Sequence, residues 1–182
     1  MQSRTSRRAL AAAALGVVLA MAGTALAAGG GPSRATVVIK GGESFKTNAY
    51  IKSSLHFAAG TVRVRSGATV TLLNTTGDPH TLSIVSPSQL PRTIGQVESC
   101  KVCKSIAKAH GVNPSEESSG PPPHPLVNAG PAGFDQPGDS IIISPKGPHG
   151  KVTFKITAKP GTTLHFMCAI HPWMQGRFVV VK

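Results

Sequence analysis

The chain has 182 residues, with 19 Lys and Arg against 7 Asp and Glu, a formal charge of +12 and three cysteines. That length suits one domain with extensions. The lysines are scattered and there is one Trp and one Tyr, so no aromatic stacking platform for nucleic acid is present, and the charge reads as solubility with steering toward acidic partners or anionic envelope polymers.

Residues 1–27 read as an export signal. Arg4, Arg7 and Arg8 form a positive start, Ala9 to Ala22 is apolar and small, and Ala25-Leu26-Ala27 fits a signal peptidase site. The pair Arg7-Arg8 leaves both the general and the twin-arginine routes open. Cleavage would leave no integral membrane span and place the mature chain in the periplasm, the cell envelope or the medium. There two of three cysteines can pair, and the third needs another role.

Residues 28–54 form an N-terminal extension with one β-branched strand, Ala35 to Lys40, and no firm element over 41–54. The main domain is expected over 55–182. Thr61 to Arg65 and Thr69 to Leu73 alternate apolar and polar residues about a Ser66-Gly67 turn, the period of half-buried strands. A loop through Asp78-Pro79 leads into a strand from His80 to Val85. Residues 86–138 break this pattern as an insertion. Thr93 to Gln96 resembles a capping box, a single helix is expected over 94–109, and Gly111 is its stop. Ser119 to Gly138 is Pro- and Gly-rich and reads as irregular loop. Strands resume at Ser140 to Ser144, Lys151 to Thr157, Thr163 to Cys168 and Arg177 to Val181. About seven to eight short strands predict an all-β, two-sheet sandwich carrying a helix-containing, Pro-rich insertion.

The chemistry concentrates in Cys168-Ala169-Ile170-His171-Pro172-Trp173-Met174. A thiolate, an imidazole and a thioether lie within seven residues, on a short loop between two strands. Two His and one Cys with a weak axial Met make the donor set of an electron-transfer copper site, whereas zinc rarely recruits Met and iron–sulfur clusters want more Cys. His80 is the best remaining donor, because it opens a strand directly after Pro79.

These motifs resemble those of the cupredoxins, the type 1 blue copper proteins. Cys-x-x-His-x-x-Met followed by Gly176, and the upstream block from Gly67 through Val70, Asn74 and Pro79-His80, are similar to the plastocyanin and amicyanin branch. The resemblance covers 55–85 and 139–182 and not 86–138. It implies a Greek-key β-sandwich holding one type 1 copper ion, with His80, Cys168 and His171 as strong ligands and Met174 as the axial one. It implies a monomeric one-electron carrier for a redox partner protein. The family often has Asn after the first His ligand; here Thr81 stands there, able to make one of the hydrogen bonds that tie the ligand loops together. Asn74 and Thr81 are thus expected to support the ligands, with Asp78 either orienting His80 or capping a turn. Pro172 and Trp173 would flank the surface-facing His, Trp173 serving as a docking contact or as a cap over the copper.

An enzyme is not expected. The copper oxidases and nitrite reductases of similar fold need His-Cys-His clusters, and here Met167 and Ala169 flank Cys168. The alternative is a copper chaperone or reservoir. Cys100 and Cys103 leave three readings open: a structural disulfide, a redox dithiol or a soft Cu(I) site. Lys104 stands where a c-type haem motif needs His. His110 reads as a solvated helix-end residue, and His56, His124, His149 and His165 receive no metal role.

Overall fold

A computed structural model describes residues 30–113 and 122–182. The expected export signal, 1–27, lies outside the described residues.

Twelve strands appear in chain order: β1 Arg34–Lys40, β2 Glu43–Lys46, β3 Tyr50–Ser53, β4 His56–Phe57, β5 Thr61–Arg65, β6 Thr69–Asn74, β7 His80–Val85, β8 Leu126–Val127, β9 Ser140–Ile143, β10 Lys151–Lys155, β11 Thr163–Met167 and β12 Gln175–Val181. One sheet has the order β10-β6-β1-β4 and the other β5-β12-β11-β7-β9-β8. Pairing is antiparallel except for β1 with β6 and β5 with β12, which run parallel. Parallel neighbours need crossovers, and the chain supplies them by passing repeatedly between the sheets. The result is a cupredoxin-like sandwich with a helical insertion.

Alternation makes the two inner faces. Val62 and Val64 of β5, and Val70 and Leu72 of β6, point into the core while their neighbours face outward. Phe166 is the hub: its ring lies 5.0 Å from Phe57 and 4.8 Å from Phe178. Gly176 pairs with Phe166 across β11 and β12. A Cβ at Gly176 would meet the Phe166 ring at 2.5 Å, so only glycine lets β12 pass over this ring.

Two boundaries differ from the sequence reading. β1 is hydrogen-bonded on both sides, by β6 and β4, so the sandwich begins at Arg34 and not at residue 55. The insertion is also partly core. Phe134 is fully buried, its ring 4.2 Å from Phe154, and its backbone bridges Lys155 and Thr157. Leu126–Val127 adds an edge strand within the stretch expected to be irregular. Residues 41–54 hold the hairpin β2–β3, every residue of it exposed, so it shows no burial alternation by which a strand could be recognised.

The expected single helix over 94–109 is two: α1 Ile94–Glu98 and α2 Lys101–Ala109. Cys100 leaves helical geometry and caps α2, its sulfur accepting from the Cys103 backbone N–H at 3.2 Å. Cys100 and Cys103 are joined in a disulfide. Thr93 caps α1 through the Gln96 N–H, but the Gln96 side chain reaches back to Arg92 rather than to Thr93. Gly111, at φ 75°, ends α2 in the left-handed conformation that glycine accepts without strain. Among the described residues, no helix is long and apolar enough to cross a membrane.

Candidate metal centre

His80 opens β7, and the turn before it is stitched by Asn74. The Asn74 amide donates to the carbonyls of Asp78 at 2.7 Å and Ser144 at 2.9 Å, while its oxygen accepts from the Thr76 N–H at 2.9 Å and hydroxyl at 2.8 Å. Because Thr76 donates to Asn74, its oxygen is free to accept from His80 Nε2–H, 2.9 Å away. That assigns the tautomer: Nδ1 of His80 carries the lone pair, and it faces the other donors.

Those donors come from the loop between β11 and β12. Its ends are joined by the Cys168 N–H to the Met174 carbonyl at 3.0 Å, and Met174 N–H turns back to the His171 carbonyl at 2.9 Å. Cys168 Sγ lies 3.7 Å from Nδ1 of His80 and 3.7 Å from Nδ1 of His171, and the two nitrogens are 3.1 Å apart. Three donor atoms thus form a compact triangle with no carboxylate in it. Met174 is buried in the same core.

The electrostatics suit a cation. Burial, then the neighbouring His171, lowers the His80 pKa from 6.5 to about 4, and burial also lowers that of His171. Both imidazoles are therefore neutral near neutral pH with lone pairs available. Burial pushes the Cys168 thiol up, opposed by hydrogen bonds from the Thr81, His171 and Ile170 backbones and the Thr81 side chain, which favour the thiolate. Burial opposes ionisation of Cys168 beside two neutral imidazoles, a cost that a positive ion would relieve, and N₂S with a methionine in the same buried cluster is the soft, trigonal set that suits copper rather than zinc. The fold and donor set resemble those of the cupredoxins.

The site fits one type 1 copper ion. No family model matches the sequence, and no curated protein matches it. Among solved structures, reduced auracyanin from Roseiflexus castenholzii is similar at 21% identity, covering 84% of this chain and 100% of that one, with a TM-score of 0.42. A purple cupredoxin from Nitrosopumilus maritimus is similar at 12% identity, covering 80% and 98%, with a TM-score of 0.41. Amicyanin from Paracoccus versutus is similar at 13% identity, covering 81% and 80%, with a TM-score of 0.37.

Around this site, Thr81 bridges the donor-bearing segments. Its backbone N–H donates to Cys168 Sγ at 3.3 Å and its hydroxyl accepts from Ala169 N–H at 2.7 Å. His80 is 0% exposed and His171 9%, so His171 is the donor of the triangle nearest to solvent. Trp173 stacks edge-on against it at 5.3 Å and is 44% exposed. Pro172 does not share that surface: it is buried, its carbonyl held by the Gln175 amide at 3.0 Å, and the other exposed apolar side chain of this loop is Ile170, 42% exposed. Asp78 contributes its carbonyl to the Asn74 network, and its charge raises the His80 pKa, the smallest of the three influences on that ring.

The disulfide lies outside the triangle but close to it in the chain's packing. Cys100, Cys103 and Ile106 pack with Val85 and Met167, and Ala169 lies against the same cluster, so α2 is seated on both neighbours of Cys168. His110, expected to be solvated, is buried. Thr76, Ser83 and Ser140 escaped the sequence reading. The signal for Ser83 was a serine within a strand whose six residues are all buried; such a hydroxyl needs a partner.

Proposed function

We propose that this is an exported blue copper protein carrying one electron at a time between redox partners, with His80, Cys168 and His171 as strong ligands and Met174 as the axial one. The observation that carries it is the triangle of two Nδ1 atoms and one Sγ, built on a loop closed by its own backbone. Copper, when bound, supplies a one-electron couple. The chain's residues do the rest. Asn74 and Thr76 hold His80 in one tautomer, Thr81 and His171 present N–H groups to the sulfur, and the core around Met174 and Phe166 keeps water away. A donor set already in place needs little rearrangement when its charge changes.

Trp173, exposed and in ring contact with His171, is the natural contact for a redox partner protein, with the exposed Ile170 on the same loop, and the basic chain favours an acidic partner. We take residues 1–27 as the signal directing a monomeric mature protein to the periplasm or envelope.

The test is the visible spectrum of the copper-loaded protein beside Cys168→Ser. An intense red-region band, lost in the variant, is the expected result. A protein that binds one copper without that band would overturn the reading and favour copper storage or delivery.

A further inference from the structure

A line of buried polar groups runs from the insertion to the copper thiolate. His110 caps α2 and is 1% exposed. Its Nδ1 meets the His124 carbonyl, and its Nε2 lies 2.8 Å from Ser140 Oγ. Ser140 Oγ is 2.7 Å from Ser83 Oγ, Ser83 donates to Thr81 Oγ1 at 3.0 Å, and Thr81 borders Cys168 and Ala169. Two strands, β7 and β9, and the C-terminal cap of α2 contribute to this chain of contacts, and none of His110, Ser140 and Ser83 is a ligand.

Counting protons shows what the chain can do. A carbonyl only accepts, so Nδ1 of His110 carries a hydrogen. With His110 neutral, Nε2 is an acceptor and Ser140 must donate to it. Ser83 has one proton and two oxygens to satisfy, those of Ser140 and Thr81, so one link lacks a hydrogen or Thr81 must turn its own proton back toward Ser83. With His110 protonated, every link is filled in one direction: Nε2–H to Ser140, Ser140 to Ser83, Ser83 to Thr81. The Thr81 proton is then free to point at the Cys168 sulfur, where a donor withdraws electron density from the thiolate.

We propose that His110 is a proton-binding positioning residue for the copper centre: a proton taken from solvent orients the Ser140, Ser83 and Thr81 hydroxyls toward Cys168 and raises the reduction potential. The proposal rests on the blue copper reading. Among the described residues, the ionisable groups around His110 are Lys108 on its own helix, His124 on the segment facing its ring, and Asp139 beside Ser140. The Asp139 carboxylate is held by the N–H groups of Ala129, Asp135 and Gln136 at 2.8 to 3.0 Å, so it supports the turn before β9 rather than a charge on His110. Burial lowers the His110 pKa, opposed by its bond to the His124 carbonyl. The ring is therefore neutral near neutral pH and charges in acid.

The test measures reduction potential against pH in the copper-loaded protein, in His110→Gln and in Ser140→Ala, with the thiolate–copper band recorded for each. The expected result is a rise in potential toward acid pH in the wild type, with one step of that rise missing from both variants while the band persists. Either variant keeping the full wild-type profile overturns the relay. Ser83→Ala cuts the same chain elsewhere and replaces a variant that fails to fold. In the metal-free protein, the Ala169 amide resonance should show a titration component that the same variants lose, and its retention overturns the relay too. If no protein shows the band, the copper reading fails, and the Ala169 resonance still decides the relay.

Discussion

Thr81 holds Cys168 from two directions. Its backbone N–H reaches the sulfur at 3.3 Å, and its hydroxyl takes the N–H of Ala169, the next residue along, at 2.7 Å. The backbone contact survives replacement of the side chain by valine, and the hydroxyl contact does not. Thr81→Val should keep the copper–thiolate band and lose about 1–3 kcal/mol of stability, because the Ala169 N–H is left without its partner. Chemical denaturation of the metal-free protein checks the loss.

Thr76 decides which nitrogen of His80 is free. Thr76→Val removes the acceptor for Nε2–H and lets the ring adopt the other tautomer. Loss of such support typically weakens a metal site about 10- to 100-fold. Competition for copper against a chelator measures it, with little change expected in the wavelength of the band.

The metal-free protein should lose stability in acid. The folded-state pKa of His80 is lowered from 6.5 to about 4, and those of His171 and His110 are lowered as well. The unfolded chain therefore binds protons first. Stability is fully present above 6.5 and falls as pH drops from there toward about 4. Urea midpoints across this range should decline, and a flat profile would contradict the burial of these rings.

Phe134 ties the end of the insertion into the sandwich. Phe134→Ala should cost about 3–5 kcal/mol, the range for a buried aromatic in a tight core. A loss below about 1 kcal/mol, the level of ordinary surface substitutions, would mean the segment is dispensable to the core.

Trp173 covers His171 and faces outward. Trp173→Ala should leave the absorption band nearly unchanged and slow electron exchange with a redox partner, read by stopped-flow mixing. An unchanged rate would assign Trp173 to the site's interior packing alone.

The parts of this molecule legible from its sequence are those with local periodicity or local chemistry. β5, β6 and β10 alternate because each has one wet and one dry face, and the loop from Cys168 to Met174 compresses three donor types into seven residues. The parts that were not legible depend on distant neighbours. Pro172 looks like surface beside Trp173 until Gln175 binds its carbonyl. His110 looks like a helix end in water until β9 packs against it. Phe134 sits among Pro and Gly, where nothing local predicts a ring in the core. The break between α1 and α2 follows from a sulfur taking the place of an oxygen cap, which helix propensity does not encode.

The bond from Cys168 N–H to the Met174 carbonyl makes the ligand loop a closed ring whose circumference is set by residue count. Adding or deleting one residue between these two would change that circumference while both strand ends stayed fixed in register, so the loop would have to buckle toward the ion or away from it. Loop length is therefore a tuning variable separate from ligand identity: two chains with the same four donors and unequal rings would hold them at unequal tension.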